Sequence, residues 1–312
     1  MKITPIIYNN QNFTSLFKKK NKDYTYSLKP TFPFVQKEYF PSYTPCGLYS
    51  KGEIQTSPDT TSAFKKQVEN YKQTKQKIPK DTYFIRMESY EKDNDWAKNM
   101  EELTYLTSYL ISQKMPFKQL MAIIEKEIKK INGSCAYFGT KRIQNNTFQL
   151  CEIGRGSEYY DLYIYEMNDH SKRTIEPKPT KEFKDANTTS IKWNNKCRCV
   201  EIIYGKMDEN SSNLEHIKNL YQILIKTENP SENQINKIAG AIHWLFAQQT
   251  PYERGSDSIA NLLTKSIYHC YDMDISPIKE YHSLDFEAFH TDAENFIEHY
   301  PDYFENKPKK LI

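Results

Sequence analysis

Glycine is scarce in this sequence, with 9 residues in a chain of 312, well below the roughly 7% of an average protein. Neither G-x-G-x-x-G nor G-x-x-x-x-G-K-S/T occurs, so the loops that hold phosphates in dinucleotide-binding and P-loop enzymes are missing. A turn-rich β-sandwich also needs more glycine than this chain supplies. The shortage argues against all three fold classes.

Long apolar runs and export signals are missing as well. No run approaches the ~20 apolar residues of a membrane span. The first residues, MKITPIIYNNQNF, lack the apolar core of a secretory signal peptide. These absences predict a soluble protein without a transmembrane segment, which is not exported by the general secretory route.

Cysteine and histidine show none of the spacings of a metal site. The six cysteines do not form a disulfide framework in a chain of this length. Cys197 and Cys199 have no second pair at zinc-ligand spacing, and the seven histidines include no H-E-x-x-H. We therefore predict reduced cysteines and no metal site, and the sequence indicates no particular cofactor.

The net charge of +3 hides an uneven distribution. Residues 1–80 contain 14 lysines and five acidic residues, whereas residues 268–306 contain ten acidic residues and a single lysine, Lys279. The two regions can pair in the folded chain, or the basic one can bind an anionic membrane surface or nucleic acid. Because the basic region lacks arginine, which recognises phosphate best, we favour pairing or solvation and do not expect nucleic acid as a partner.

Hydrophobic periodicity predicts an α+β fold, in which an antiparallel β-meander is flanked by helices and the C-terminal third is helical. Helical spacing is found at 97–114, 116–131, 214–226, 231–248 and 258–271, with a shorter helix from about Ser283 or Thr291. Strand-like alternation is found at 134–138, 147–153, 159–167 and 199–204.

The sequence predicts two parts of the chain, an N-terminal segment and one domain. Residues 1–90 are polar and rich in proline, tyrosine and lysine, so we expect an extended, partly irregular segment. Residues 91–312 are expected to form a single compact α+β domain, in which 168–190 is a polar loop.

The helix predicted at 231–248 ends in a stretch that is apolar on every side. Ile235, Ile242 and Phe246 share one stripe, while Trp244 points to the opposite side. Such a helix end is buried all round, and His243 is its one ionisable residue. A buried imidazole needs hydrogen-bond partners and tends to be neutral. His243 is therefore either a core histidine or a general base for a neighbouring site.

The next helix begins after the loop PYERG, and its start has the features of an anion site. A helix N-terminus offers unpaired N–H groups and a partial positive charge. Gly255 allows close approach of a ligand, Arg254 can hold a phosphate or carboxylate with two parallel hydrogen bonds, and Ser256 or Ser258 can add a hydroxyl. We predict that these residues bind a phosphate-bearing or other anionic ligand, with His243 as the catalytic residue.

Two other interpretations stay open at this point. The serines can be ordinary N-caps, in which case Arg254 pairs with an acid such as Glu253. A second Arg-Gly-Ser at Arg155 and Ser157 fits a hairpin turn, or else a loop that closes over the same ligand. Arg155 and Ser157 are therefore added to the predicted ligand-binding residues.

A nucleophilic set of another kind is also compatible with the sequence. Cys46 in PCG, with His282 and Asp285 in YHSLDF, has the residue types of a Cys-His-Asp hydrolase or acyltransferase. Their spacing neither supports nor excludes such a site.

Residues 238–263, IAGAIHWLFAQQTPYERGSDSIANLL, resemble a segment of effector or toxin-like proteins that pathogenic bacteria secrete into host cells by type III or type IV systems. In those proteins a helix ending in H-W precedes P-x-x-R-G-S and a second helix, and the matching residues here are His243, Trp244, Pro251, Arg254, Gly255 and Ser256. The layout is also loosely similar to Fic-type nucleotidyl transferases, but their H-P-F-x-x-G-N-G-R is absent.

The resemblance implies a virulence effector that is made in the bacterial cytoplasm and acts in the host cytosol. Its first predicted function is that of an enzyme of transferase type, with a nucleotide or other phosphorylated small molecule as ligand and a host protein as partner. The alternative is a non-enzymatic effector that binds a host protein through its tyrosine-rich and charged surfaces.

Overall fold

The architecture is seen in a computed structural model, which describes residues 62–79, 82, 94–131, 139–142, 147–151, 174–194, 199–206, 211–279 and 283–311. The helices of this part are α1 (Ser62–Thr74), α2 (Asn94–Ser112), α3 (Phe117–Ile131), α4 (Ser212–Lys226), α5 (Glu232–Gln249), α6 (Ser256–Cys270), α7 (Leu284–His290) and α8 (Ala293–His299). Its strands are β1 (Thr147–Cys151), β2 (Thr174–Ile175), β3 (Ser190–Asn194) and β4 (Cys199–Ile203).

The strands form one antiparallel sheet in the order β1-β4-β3-β2. Thr147 of β1 and Ser190 of β3 both pair with Ile203, on opposite sides of β4. The predicted α+β class and the helical C-terminal part are confirmed. The predicted strands 134–138 and 159–167 lie outside the described residues. β2, inside the predicted loop, has two residues, too few for an alternation to be recognised in the sequence. β3 is not among the predicted strands.

α5 is the central helix of the C-terminal part, in contact with α4, α6, α7 and α8. All its residues from Ile238 to Gln249 are buried, as predicted for a helix end that is apolar all round. Its start is a capping box, in which the Ser231 hydroxyl accepts a hydrogen bond from the Gln234 backbone N–H at 3.2 Å and the Gln234 side chain accepts one from the Ser231 backbone N–H at 3.2 Å. Among the described residues, no helix is long and apolar enough to cross a lipid bilayer.

Gly240 lets the chain after α8 approach α5 closely. A Cβ at this position would lie 2.9 Å from Cβ and 3.0 Å from Cγ of Tyr300, closer than carbon atoms pack in a protein core. Tyr300 is fully buried, so it has no open space to move into. The absent side chain of Gly240 therefore fixes where Tyr300 lies.

Replacing Gly240 with alanine is expected to lower the free energy of unfolding by about 1–3 kcal/mol, since the cost of overpacking exceeds the gain in helix propensity. Urea unfolding would measure the change. Lys237→Ala, on the exposed side of the same helix, is the control and should differ from the parent by less than about 0.5 kcal/mol. Equal stability of the two variants would contradict the close packing.

The helix α1 lies inside the segment that the sequence predicts as extended. Phe64 and Val68 pack against the core, and the Tyr71 hydroxyl lies 2.7 Å from Ser108 Oγ of α2. The apolar stripe of α1 is only three residues long, which explains why it is not recognised without the helix that it covers. The division at residue 90 stays a prediction.

The residues that follow α1 cross the C-terminal end of α6. Lys75 Nζ lies 2.8 Å from Oδ1 of Asp272, so one basic residue of the N-terminal region does pair with the acidic C-terminal region. The Gln76 carbonyl contacts Nε2 of His269 at 3.1 Å, and the backbone N–H of Ile78 donates to the Tyr105 hydroxyl at 3.0 Å. These contacts fasten residues 75–79 to α2 and α6.

Candidate functional site

The joint between α5 and α6 is more than a turn. α5 ends at Thr250, which has the left-handed φ of 41°, a conformation that a β-branched residue rarely adopts. Residues 251–254 then run antiparallel to residues 139–142, with backbone hydrogen bonds of 3.0 Å from Gly139 to Arg254, 2.9 Å from Glu253 to Thr140 and 2.9 Å from Arg142 to Pro251. The loop is thus held as one strand of a short ribbon.

Arg142 fastens this ribbon to α5 and to the sheet. It is 2% exposed, and its guanidinium donates to the carbonyls of Thr250 at 2.9 Å and of Gly205 and Gln249 at 2.8 Å each. The guanidinium carbon also lies 5.3 Å from the ring centre of Tyr204. Burial lowers the pKa of Arg142, and Tyr204 acts against that shift. The sequence gives no signal for this role, because the partners are backbone carbonyls.

The two glutamines at the end of α5 complete this anchoring. Gln248 accepts from the Thr189 backbone N–H at 2.7 Å and donates to the Ala288 carbonyl at 2.6 Å. Gln249 bonds Ser211 and donates to the Lys206 carbonyl at 3.1 Å. Both side chains are fully buried with their polar groups paired. The end of α5 is therefore tied to the chain before β3, to the chain before α4 and to α7.

α6 begins with the amide groups of its first turn directed at the loop. Gly255 is the N-cap residue, with a left-handed φ of 86°, and it has no side chain with which to cap the helix. Ser256 accepts a hydrogen bond from the Tyr252 N–H at 3.1 Å, so its hydroxyl is used inside the loop. Ser258 is partly exposed on the first turn. The predicted ligand-binding residues Arg254, Gly255, Ser256 and Ser258 thus surround one helix N-terminus, and their binding role stays a prediction.

Ionisable side chains from three other places reach the same corner. Burial raises the pKa of Tyr204, and so does Asp285, whereas Arg142 and Arg254 lower it. Burial and the Asp285 charge raise the pKa of Asp257 well above its usual value. Tyr204 follows β4 and Asp285 lies in the first turn of α7, both far from Arg254 in sequence. Tertiary packing therefore brings a phenol, two arginines and two carboxyl groups within electrostatic reach of one another.

The carboxyl groups are fixed by local hydrogen bonds. Asp257 Oδ1 accepts from Asn261 Nδ2 at 2.9 Å. Asp285 Oδ1 accepts from the Ser283 hydroxyl at 2.6 Å and from the Phe286 N–H at 3.1 Å. Burial also raises the pKa of Asp285, against these hydrogen bonds. Asp257, Asp285, Tyr204 and Arg254 all keep some solvent exposure.

His243 lies in the core, away from this corner. It is 0% exposed, and its Nδ1 is 2.9 Å from the Tyr300 hydroxyl. Tyr300 in turn donates to Thr264 Oγ1 at 3.2 Å, and Thr264 donates to the Ala260 carbonyl at 3.0 Å. This chain of donors assigns the proton to Nδ1 and leaves Nε2 as a buried acceptor to which none of the described residues donates a hydrogen bond.

Burial lowers the pKa of His243 to about 3, and the charge of Lys265 contributes. The imidazole is therefore neutral at pH 7, as predicted for a buried histidine. Its charged neighbour is Lys265 rather than Arg254. The structure places this residue within the core network, and a catalytic role for His243 stays a prediction.

The remaining predicted site residues are outside the structure's coverage. Arg155 and Ser157, as well as Cys46 and His282, lie outside the described residues, so the second Arg-Gly-Ser and the Cys-His-Asp set stay predictions. Asp285 alone of that set is described. Within the described ranges, no three His, Cys, Asp or Glu side chains are grouped so as to hold a metal ion.

Comparisons with known proteins relate this part of the chain to one family. No curated protein matches the sequence. The family profile of the AvrB/AvrC avirulence proteins matches residues 140–307, which include the sheet, the helices α4–α8 and the whole corner around Arg254 but not α1–α3. This match covers more than half of the 312 residues. The chain therefore belongs to the AvrB/AvrC avirulence protein family, a family of bacterial type III effectors.

Proposed function

We propose that this effector is an enzyme that binds the phosphate of a donor molecule at Arg254 and the first turn of α6, and transfers a group from that donor to a host protein. Effectors of its family are delivered into host cells, where such substrates are available. The observation that carries the proposal is the partly exposed corner in which Arg254, a helix N-terminus with glycine at its N-cap and two carboxyl groups meet.

The corner has the donors that an anion needs. The guanidinium of Arg254 offers two parallel N–H groups, and the amides of Ser256 and Asp257 lie at the positive end of a 15-residue helix. Gly255 has no Cβ to keep a phosphate away from these amides. Arg142 adds a second positive charge behind the Tyr204 ring. The corner thereby favours a ligand with several negative oxygens.

The carboxyl groups give the corner a way to move a proton. Asp257 and Asp285 repel each other when both are ionised, so one of them holds its proton to a higher pH than a solvated carboxyl group does. A carboxyl group of raised pKa is suited to take a proton from an attacking hydroxyl near neutral pH. We assign this role to Asp257, because it lies on the same helix turn as the anion donors.

A non-enzymatic binding function is the second candidate. It is favoured by the enclosure of His243, since the one histidine that the sequence connects with this loop has no direct access to a ligand. In that case Arg254 would recognise an acidic group of the partner protein, and no group transfer would follow.

Replacing Arg254 with alanine is expected to weaken the binding of inorganic pyrophosphate at least about tenfold, since charge-assisted hydrogen bonds contribute roughly 1.5–3 kcal/mol. Calorimetric titration would measure the affinity, and thermal unfolding would show whether the fold is kept. Arg254→Lys keeps the charge but loses the paired donors. Its affinity for pyrophosphate should therefore lie between that of the parent and that of Arg254→Ala. Lys118→Ala, which removes an exposed cation of α3, should bind like the parent.

Unchanged affinity of Arg254→Ala would contradict the anion site, and a large loss of thermal stability would show that Arg254 is structural. The enzymatic part needs a separate measurement. Extract from host cells would be incubated with the protein and a panel of radiolabelled nucleotides and nucleotide sugars. Label on a host protein that disappears with Asp257→Asn supports a transferase, and the absence of label with intact pyrophosphate binding favours the non-enzymatic candidate.

A further inference from the structure

A side-chain hydrogen bond connects α3 with the loop between α5 and α6. Glu125 Oε1 accepts this bond from the Tyr252 hydroxyl at 2.7 Å, although the two residues are 127 positions apart in the chain. Glu125 precedes the residues that the family profile matches, whereas Tyr252 lies within them, in the loop 251–254. The bond therefore joins a helix outside the matched region to the candidate site.

This hydrogen bond is suited to hold Tyr252 in one position. Tyr252 is 3% exposed, and its ring centre lies 6.1 Å from that of Phe246 on α5. A buried phenol needs a hydrogen-bond partner, and a carboxylate acceptor makes the bond stronger than a neutral acceptor does. Lys141 Nζ lies 3.9 Å from the same Glu125 oxygen but is 72% exposed, so it competes little for the carboxylate.

The backbone of Tyr252 is bonded in turn to the first residue of α6. The Tyr252 N–H donates to Ser256 Oγ at 3.1 Å, and the Ser256 hydroxyl donates to the Tyr252 carbonyl at 3.3 Å. Ser256 begins α6, and its amide is one of the proposed anion donors. Displacement of the Tyr252 side chain would therefore be passed on to the helix turn that binds the ligand.

A second contact of α3 supports the backbone of Arg254. The Arg254 carbonyl accepts a hydrogen bond from the Gly139 N–H at 3.0 Å. Gly139 lies directly against α3, since a Cβ at this position would be 3.0 Å from Cγ2 of Ile128 and 3.3 Å from Cγ of Lys129. Both Arg254 and the first turn of α6 are thus placed relative to α3 by direct packing and hydrogen bonds.

We propose that Glu125 is a positioning residue of the candidate site, which acts through Tyr252 to hold the loop 251–254 and the first turn of α6 in the arrangement that binds an anion. This inference rests on the proposed function. The charge of Glu125 by itself repels an anionic ligand, whereas its hydrogen bond to Tyr252 favours binding. Removal of the charge and removal of the hydrogen bond therefore have opposite effects on affinity, and variants can separate them.

The test is a calorimetric titration of full-length variants with inorganic pyrophosphate. Glu125→Ala is expected to weaken binding at least about threefold, although the protein loses a negative charge. Tyr252→Phe keeps that charge, removes the hydroxyl and should weaken binding to a similar extent. Glu125→Gln keeps an oxygen that accepts from Tyr252 and should bind at least as tightly as the parent. Glu298→Ala, which removes an exposed carboxylate of α8, is the control and should not weaken binding.

The variant that combines Glu125→Ala with Tyr252→Phe completes the test. It should bind no more weakly than either single variant, because both substitutions remove the same hydrogen bond. Tyr252→Phe keeps the ring and its packing, so it covers the case in which Glu125→Ala does not fold. Parent-like affinity of Tyr252→Phe, or weakening by the two substitutions that simply adds, overturns the proposal.

A measurement without ligand separates this proposal from the proposed function. Amide hydrogen exchange of residues 251–256, followed by mass spectrometry, should be faster in Tyr252→Phe than in the parent and unchanged in Glu298→Ala. Faster exchange in a protein that does not bind pyrophosphate supports the hold of Glu125 on the loop and refutes the anion site. Pyrophosphate binding by the parent, with exchange and affinity both unchanged in Tyr252→Phe, keeps the anion site and refutes the role of Glu125.

Discussion

Replacing Arg142 with methionine is expected to lower the free energy of unfolding by about 3 kcal/mol or more. The substitution removes a guanidinium that donates to three carbonyls in the protein interior. Each buried acceptor left unpaired costs roughly 1–3 kcal/mol. Urea unfolding followed by tryptophan fluorescence would measure the loss.

Two further variants sharpen this prediction. Arg142→Lys keeps a cation but has no planar fork to reach three carbonyls at once, so it should recover only part of the loss. Lys141→Met removes the neighbouring charge, which is 72% exposed, and should change the stability by less than about 0.5 kcal/mol. Stability of Arg142→Met within about 1 kcal/mol of the parent would show that the corner does not depend on this arginine.

The second large effect is a pH dependence that His243 contributes. Its folded pKa is about 3, whereas the unfolded chain has the ordinary value near 6.5. Below that value the unfolded state takes up a proton and the folded state does not, so stability is present above pH ~6.5 and is lost as the pH falls toward 3. The loss amounts to about 1.4 kcal/mol per pH unit, or about 3 kcal/mol between pH 6.5 and 4.5.

His243→Gln keeps an amide donor for Tyr300 but does not titrate. Its stability should be lower than that of the parent at pH 7.5, and the difference should shrink by about 3 kcal/mol at pH 4.5. His299→Gln removes a histidine that is 61% exposed and should follow the parent curve. Parallel curves for the parent and His243→Gln would mean that His243 titrates near neutral pH. That result would make the imidazole accessible to protons, as a general base must be.

These predictions differ in what they say about the site. The Arg142 variants examine the frame that holds Tyr204 and the loop 251–254 in place, whereas the His243 variants examine a core histidine that the sequence connects with catalysis. Arg254 itself is at the surface of the corner, and its replacement is expected to affect ligand binding more than stability. Variants at these three positions therefore distinguish residues that support the site from the residue that is proposed to contact its ligand.

The helices of the C-terminal part could be predicted because their signals are local. α5 begins at the capping box of Ser231 and Gln234, and its apolar end is buried as its composition requires. α6 was expected from Ser258 and begins at Ser256, within the uncertainty of a helix end. The Arg-Gly-Ser loop can be predicted for the same reason, because a glycine that follows an arginine and precedes a helix is recognised from a few neighbouring residues.

Other elements could not be predicted because their stability comes from distant partners. The helix α1 packs few apolar side chains, among them Phe64 and Val68, against the core, and β2 consists of two residues paired with β3. Neither element has a pattern that is distinct from a loop. Arg142 gave no signal either, because an arginine that binds backbone carbonyls has no partner that can be read in the sequence.

Local patterns along the chain account for the periodic helices, the burial of the end of α5, the N-terminus of α6 and the likeness to bacterial effectors, because each depends on residues that are near one another in the sequence. The tertiary structure decided which side chains meet there. Tyr204, Arg142 and Asp285 come from three separate segments, and packing of the sheet and α7 against α5 brings them to Arg254. It also decided their charges, because the ionisation of Asp257, Lys265 and His243 depends on burial and on neighbours that only the folded chain provides.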